Sequence, residues 1–506
     1  MRVLVELHDE LELPPGSWRG GAAAEEKGWK VCRHIKPSLS GDCLAARKDR
    51  NYPGFSVRSA SRTWKTHPMS DETPNPSTGP KAGVEEERQK TEEERLLDEI
   101  AEQKDLIDAL TGDTKDGIVH RASHEKRLGQ LEFRYQLLVE KKRLARVLLK
   151  FQELHGDLYS EPCLICLDNI HVHASKNLLE TFSCCGGFVC KSCALDVRES
   201  GVGLDKCPLC REFYHDKTVA RRSAQLMALA KRGVSWAQSD VGQCMIKGMR
   251  GFEKQAQTGL EWINKAAAQN YPSALYELSS LYRDGISSEL EKSEEKANEL
   301  LLKSANLGHV PANSILSGFY FGGTNGFEKN LDEFYFRSSV TLALDNTREG
   351  AARVLGSLHF FEHGIPEPSL YLACYYLNIG VKGDRDGISS CLYGKSLLHF
   401  ANRLHGNNIT NGFNALPAAF FWLRKSRDMG RNDAREQLKE WETAGRSLCA
   451  YCAKKAETGE KFKQCSKCKA QWYCSKECQV EAWRAGHKKD CKRAAILKFE
   501  DYLNAE

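Results

Sequence analysis

Residues 259–285 read GLEWINKAAAQNYPSALYELSSLYRDG. The first half closes like a helix, with Lys265 followed by small residues and Asn270 near its end. The second half carries Ala274-x3-Leu278-Ser279. The same phase recurs at Ala237-x3-Val241-Gly242, Ala312-x3-Leu316-Ser317, Ala351-x3-Leu355-Gly356, Ser389-x3-Tyr393-Gly394 and Ala434-x3-Leu438, in steps of 37, 38, 39, 38 and 45 residues. ANELLLKSANLGH (297–309) and AFFWLRKSRDMGR (419–431) repeat the closing signature. This is the physics of a two-helix repeat. Small residues let paired helices approach, Leu and Tyr fill the gap, and Gly closes a helix. Each pair leaves an apolar face that only its neighbour can cover, so the array stacks as a solenoid. The expected fold class is mainly α, with this solenoid over 220–445.

These residues resemble the Sel-like repeat family, a relative of the tetratricopeptide repeat. The resemblance covers most of 224–445. It is clear for the first two or three units and degenerate over 330–420.

Toward the C-terminus the spacing is Cys449-x2-Cys452-x12-Cys465-x2-Cys468-x5-Cys474-x3-Cys478-x8-His487-x3-Cys491. Eight nitrogen and sulfur ligands fill two tetrahedral zinc sites and leave no open position for a water nucleophile. Such metal is structural. A segment this short cannot fold on its own core. Zinc, at roughly 10–16 kcal/mol per structural site, would supply the folding energy. Together with WYCSKECQ and Trp483, the segment 449–491 closely resembles the MYND zinc finger. The resemblance implies one zinc on Cys449, Cys452, Cys474 and Cys478 and a second on Cys465, Cys468, His487 and Cys491. It also implies capture of proline-containing peptides at Gln479 and Trp483. An aromatic beside an amide suits an extended segment, although Trp483 packed on the zinc core is an equal alternative. Lys488, Lys489, Lys492 and Arg493 form a basic patch, read as a solvated face.

On the other side of the repeats lies Cys163-x2-Cys166-x17-Cys184-Cys185-x4-Cys190-x2-Cys193-x13-Cys207-x2-Cys210. These eight thiols, opened by CLIC and closed by CPLCR, resemble a RING finger over 160–212. The resemblance implies Cys163, Cys166, Cys190 and Cys193 on one zinc and Cys184, Cys185, Cys207 and Cys210 on another. Four Zn2+ per chain follow, two per finger. The adjacent Cys184-Cys185 departs from the usual Cys-x-His. Gly186-Gly187 would permit the necessary bend. His171 and His173 are alternative ligands or plain surface residues. RING fingers recruit a ubiquitin-conjugating enzyme, and the resemblance places that contact on Ile165 and Pro208, with Arg211 as the linker arginine. Val197 stands where many ligases carry a larger residue.

Residues 84–155 are dense in helix formers around a break at TGDTKDG. Leu128, Leu131, Tyr135, Leu138, Ala145 and Leu149 form one seam, and Leu137, Leu144 and Phe151 a second. The segment reads as a helical or coiled-coil arm, with a dimer, a hairpin and a solvated helix all open. Residues 1–83 lack periodicity and read as a disordered tail. Their Lys-, Arg- and Ser-rich part suits a transit peptide, a nuclear address or a plain basic tail. Met69 is an alternative start.

The chain has 506 residues, a formal charge of +5 and 20 cysteines. The charge is too small for the whole chain to be a polyanion binder, and no recognition-helix finger spacing is present, so nucleic acid is not the expected partner. No apolar run is long enough to span a membrane. The acid-interrupted start is not a secretory signal, so a reducing compartment, cytoplasm or nucleus, is expected, where thiolates bind metal. No P-loop, GxSxG or HExxH is present, and no catalytic residue is assigned. The partners are proteins. A RING-type ubiquitin ligase, a non-enzymatic adaptor and, less well supported, a transcriptional regulator remain as readings.

Overall fold

The computed structural model describes residues 90–110, 115–171, 179–201, 206–207, 210–213, 218–285, 290–362, 365, 367–405, 415–495 and 498–500. The tail expected over 1–83, the start of the arm, His173 and Pro208 lie outside these residues.

The arm is a helical hairpin of α1 (Glu92–Ala109) and α2 (Lys115–His155). A capping box starts α1: Glu94 N–H donates to Thr91 Oγ1 at 3.2 Å, and Thr91 N–H donates to the Glu94 carboxylate at 2.8 Å. Acids at 92–94 complement the helix dipole. Leu96 and Ile100 of α1 bury against Leu128, Leu131, Tyr135 and Leu138 of α2. Arg127 reaches Glu99 at 3.0 Å, and His124 lies 2.9 Å from Gln103. So α1 takes the first part of the seam, while Leu149 stays 59% exposed.

The opposite side of α2 docks on the repeats. Phe151 is fully buried with Val310, Val340 and Leu344. Phe133 packs its ring 6.2 Å from Tyr371. Between these anchors Glu140, only 4% exposed, binds Arg143 at 2.6 and 2.7 Å and accepts from Tyr376 Oη at 2.5 Å. Arg143 also donates to Ser339 Oγ at 3.1 Å. Burial works against the Arg143 charge, but the Glu140 bonds and charge outweigh it and hold the guanidinium above its usual range. Of the three readings for this arm, the hairpin is the one adopted, and Phe151 of its second seam is buried on the repeats while Leu137 and Leu144 stay half-buried.

The central module holds two short antiparallel pairs, β1 (Glu161–Pro162) with β2 (Asn169–Ile170) and β3 (Leu179–Thr181) with β4 (Phe188–Cys190), then α3 (Lys191–Glu199). Helix α4 (Val219–Lys231) leads into the solenoid. Its described pairs are α5 (Ser235–Lys247) with α6 (Ala256–Ala268), α7 (Pro272–Asp284) with α8 (Glu294–Asn306), α9 (Val310–Gly322) with α10 (Leu331–Leu344), α11 (Glu349–Phe361) with α12 (Leu370–Gly380), and α13 (Ile388–His405) with α14 (Leu416–Asp428). Helix α15 (Asn432–Gly445) follows.

The phased residues explain this stacking. The six leading small residues (Ala237, Ala274, Ala312, Ala351, Ser389 and Ala434) and their partners four residues on are none more than 4% exposed. One close crossing is at Gly242 and Gly259, where a Cβ on either would lie 2.6 or 2.7 Å from the other's carbonyl oxygen. The pairs run on through 330–420 although the motif fades there, because burial of the next face, and not the exact residue, sustains the array.

The C-terminal module has β5 (Lys463–Gln464) paired with β6 (Trp472–Tyr473), α16 (Lys476–Ala482), a wide turn over Trp483–His487, and α17 (Lys488–Arg493). The chain then returns to the repeats. Phe499 is 1% exposed, its N–H donates to Asn378 Oδ1 at 2.9 Å, and its ring lies 5.4 Å from Phe133 and 5.6 Å from Phe400. Among the described residues no helix is long and apolar enough to cross a membrane.

Candidate metal centres and the surfaces beside them

Four of the five CxxC pairs sit on the same backbone knuckle, while the fifth, Cys190-x2-Cys193, opens α3. Leu167 N–H donates to Cys163 O at 3.1 Å, Arg211 N–H to Cys207 O at 3.0 Å, Ala453 N–H to Cys449 O at 3.0 Å, and Lys469 N–H to Cys465 O at 3.0 Å. The donor is always four residues after the first cysteine, and its φ is positive: 66°, 60°, 57° and 52°. The first cysteine's own N–H closes the loop, as in Cys163 to Asp168 O at 2.8 Å and Cys207 to Glu212 O at 2.9 Å. The turn forces both sulfurs to one side. A non-glycine residue in the left-handed region costs about 1 kcal/mol or more, so the local sequence accepts strain to keep this geometry.

The knuckles are interleaved. Among the described residues, sulfur and imidazole atoms within 4.8 Å of one another form four sets: Cys163, Cys166, Cys190, Cys193; Cys184, Cys185, Cys207, Cys210; Cys449, Cys452, Cys474, Cys478; and Cys465, Cys468, His487, Cys491. These are the groupings implied by the two resemblances. In the first set the sulfurs of Cys166 and Cys190 are 3.9 Å apart. In the second, Cys207 and Cys185 are 3.6 Å apart. In the fourth, Nε2 of His487 lies 3.3 Å from Cys465 and 3.6 Å from Cys468. His171 belongs to none of them. Its ring nitrogens lie 2.8 Å from Tyr159 O and 3.2 Å from Gly308 O, so it is a clasp between the central module and the repeats, neither ligand nor plain surface residue.

The electrostatics suit a cation. Burial and hydrogen bonds to Cys210 and Cys207 push Cys185 up to about 12, and burial with bonds to Cys478 and Cys449 pushes Cys474 up to about 12. Burial also raises Cys163, but backbone N–H donors from Cys190 and Ile165 outweigh it and bring the thiol down to about 6. Bonding to Cys468 and His487 draws Cys465 down to about 3. Four crowded thiols cannot all ionise against their mutual repulsion, and a divalent cation removes that repulsion. Each set has four thiol or imidazole donors in closed array, which suits tetrahedral Zn2+.

Glycines 186 and 187 make the adjacent Cys184-Cys185 workable. Gly186 has φ 84°, and a Cβ on Gly187 would meet Leu164 Cδ2 at 2.4 Å. The module is then bolted to the solenoid: Trp236 Nε1–H donates to Gly186 O at 2.8 Å, and Tyr159 N–H donates to Leu307 O at 3.0 Å. The C-terminal module is fastened likewise, with Ala450 N–H donating to Trp472 O at 2.8 Å inside it and Arg424 Nη2 donating to Cys468 O across the junction.

The expected partner-binding residues are distributed as follows. Ile165 is 41% exposed, and Arg211 is exposed on its knuckle. Two side chains that sequence reasoning passed over stand out on the same module: Leu167, 74% exposed, and Leu195, exposed on α3. The signal for Leu167 was its place four residues after the first cysteine of CLIC. Gln479 and Trp483 are half-buried and four residues apart, so they share a helical face. The Trp483 ring also lies 5.7 Å from that of His487, which gives it a structural contact as well as a free surface.

Comparison with known proteins agrees with part of this. The family model for the MYND finger matches residues 449–491, and that for the Sel1 repeat matches 237–271 and 272–309. A chitin synthase regulator of Saccharomyces cerevisiae is 28% identical over 130 residues, 24% of this chain and 19% of that protein. A SET and MYND domain-containing protein of Dictyostelium discoideum is 41% identical over 56 residues, 10% of each. An F-box protein of Arabidopsis thaliana is 36% identical over 63 residues, 11% of this chain and 19% of that protein. The chain thus spans less than a fifth of the length of these relatives. Among solved structures, a Sel1 repeat protein from Oxalobacter formigenes aligns with TM-score 0.34 and 20% identity over 42% of this chain and 80% of that one. A protective antigen of uropathogenic Escherichia coli with an SLR fold aligns with TM-score 0.35 and 19% identity over 46% of each. The chain contains a MYND finger and Sel1 repeats, both protein-interaction modules, and further cysteine clusters suited to zinc.

Proposed function

We propose that this chain is a zinc-dependent protein-interaction protein whose central module acts as the RING finger of a ubiquitin ligase. The carrying observation is the interleaved pair of knuckled cysteine sets at 163–210, with Ile165 and Leu167 exposed at one knuckle and Arg211 at another. In this reading four Zn2+ are held, two per finger, by the sixteen residues of the four sets. Ile165 and Pro208 hold a ubiquitin-conjugating enzyme, and Arg211 supports transfer. The repeats and the Gln479–Trp483 face select substrates, the latter as proline-containing peptides. The thiolate sets need a reducing compartment, the cytoplasm or nucleus.

The test is reconstitution with activating enzyme, a panel of conjugating enzymes, ubiquitin and ATP. Chains should form, Cys163→Ala should abolish them, and Ile165→Ala should slow them about tenfold. No chains across the panel would leave the second reading, a non-enzymatic adaptor. That reading is favoured by Val197, a small and half-buried side chain where a larger contact residue is usual. Metal analysis should give four zinc ions per chain, and a count near two would exclude one of the modules.

A further inference from the structure

A cavity of about 660 Å3 opens where the last repeat pair meets the C-terminal finger. Its floor is apolar. Pro417, Phe421 and Met429 of the repeat side line it, and Phe421 is 36% exposed despite its size. Its walls are cationic. Lys425 comes from the repeat side, and Lys467 and Lys492 come from the finger. None of these three lysines has a carboxylate partner among the described residues. The acid in the wall, Asp428, is already held by Arg427 at 2.7 Å. A fourth cation, the half-buried Arg424, donates Nε–H to Phe420 O at 3.1 Å and Nη2–H to Cys468 O, both neutral carbonyls.

A partly desolvated guanidinium whose hydrogen bonds end on neutral carbonyls, with the Glu442 and Asp428 carboxylates acting on it only through space, is a costly arrangement. Cys468 and Cys491 also line the wall, and a zinc held by three thiolates and one imidazole carries a single net negative charge. That offsets one cation and leaves three. The volume falls in the range of ordinary ligand pockets.

We propose that this junction is a docking site for an acidic peptide segment of a partner protein, with one large apolar side chain flanked by carboxylates. The apolar side chain would cover Phe421 and Met429, and the carboxylates would pair with Lys425, Lys467 and Lys492. Charge complementarity selects the sign of the ligand, and the apolar floor selects a peptide over a nucleic acid or free phosphate, whose anions would leave Phe421 bare. Neither Gln479 nor Trp483 lines the cavity, so this site is separate from the proline-peptide face and stands without it.

The test uses the full zinc-loaded chain and fluorescence anisotropy with the labelled peptide Glu-Asp-Phe-Leu-Asp-Glu. Binding is expected, at least tenfold tighter than for Glu-Asp-Gly-Ser-Asp-Glu and for the charge-reversed Lys-Arg-Phe-Leu-Arg-Lys. The double variant Lys467→Glu/Lys492→Glu should weaken it at least tenfold and Phe421→Ala about fivefold. Lys425→Glu, far in sequence from any zinc ligand, gives the same reading if the finger variant loses metal. Equal binding of the Gly-Ser peptide, indifference to Lys425→Glu, or tighter lysine-dependent binding of inorganic phosphate or a single-stranded RNA would each overturn the proposal.

Discussion

A methyl group on Gly187 would sit 2.4 Å from Leu164, inside the central finger, so Gly187→Ala should loosen that finger alone. Zinc analysis after mild chelation should show about two ions lost, and Leu164→Ala should restore them in the double variant by making room. A second residue-level consequence concerns buried histidines. Burial, then the Arg348 charge, pushes His309 down to about 3, and burial pushes His359 down to about 4. Both imidazoles are neutral in the fold and titrate near 6.5 when unfolded. Depressed folded values mean that their stabilising effect is whole above about pH 6.5 and is lost as pH falls toward 4 and 3. Each should lower stability by about 1.4 kcal/mol per pH unit in that window. His309→Asn should flatten the fall in urea midpoint between pH 6 and 4 relative to the parent chain. The cysteine clusters were legible from spacing, because metal chemistry demands fixed residue types. Leu167, Leu195 and the clasp at His171 were not, because exposure and carbonyl partners depend on folds remote in sequence.

At the level of elements, the long helix α2 is held by a buried charge network. Glu140 and Arg143 satisfy each other and reach Tyr376 and Ser339 on the repeats. Removing one partner leaves the other buried without compensation, which costs about 3–5 kcal/mol. Glu140→Ala should therefore undock the arm, read as faster hydrogen exchange over 120–155 with the exchange of α7 and α8 unchanged. The joint replacement Glu140→Leu/Arg143→Leu should be milder, because no lone charge remains. Sequence periodicity identified both seams of this helix. It left the covering partner open, since an apolar stripe looks the same whether another chain or the solenoid buries it. The repeats were easier to read. Ala237, Ala274 and Ala312 with their partners four residues on carry the two-helix rule locally, and each is buried as that rule requires.

Across the whole molecule, two cysteine-rich modules suited to zinc are fastened to a core that owns its apolar contacts. Chelation should therefore separate them. With excess chelator under reducing conditions, zinc should leave both fingers while most far-UV helical signal persists, since the repeat helices bury their faces on one another. A parallel collapse of the helical signal would mean that the fingers cap the solenoid energetically as well as in space. The sequence by itself determined the helical repeat and the two cysteine-rich clusters, because these rest on periods and spacings that physics reads locally, while the grouping of their thiols was only what the resemblances implied. Only the tertiary structure decided where the arm lies, how Phe499 ties the C-terminal end to Phe133 and Phe400, and that a cationic cavity forms at Phe421. Those features join residues tens to hundreds of positions apart, and packing between distant faces has no signature in any single stretch of chain.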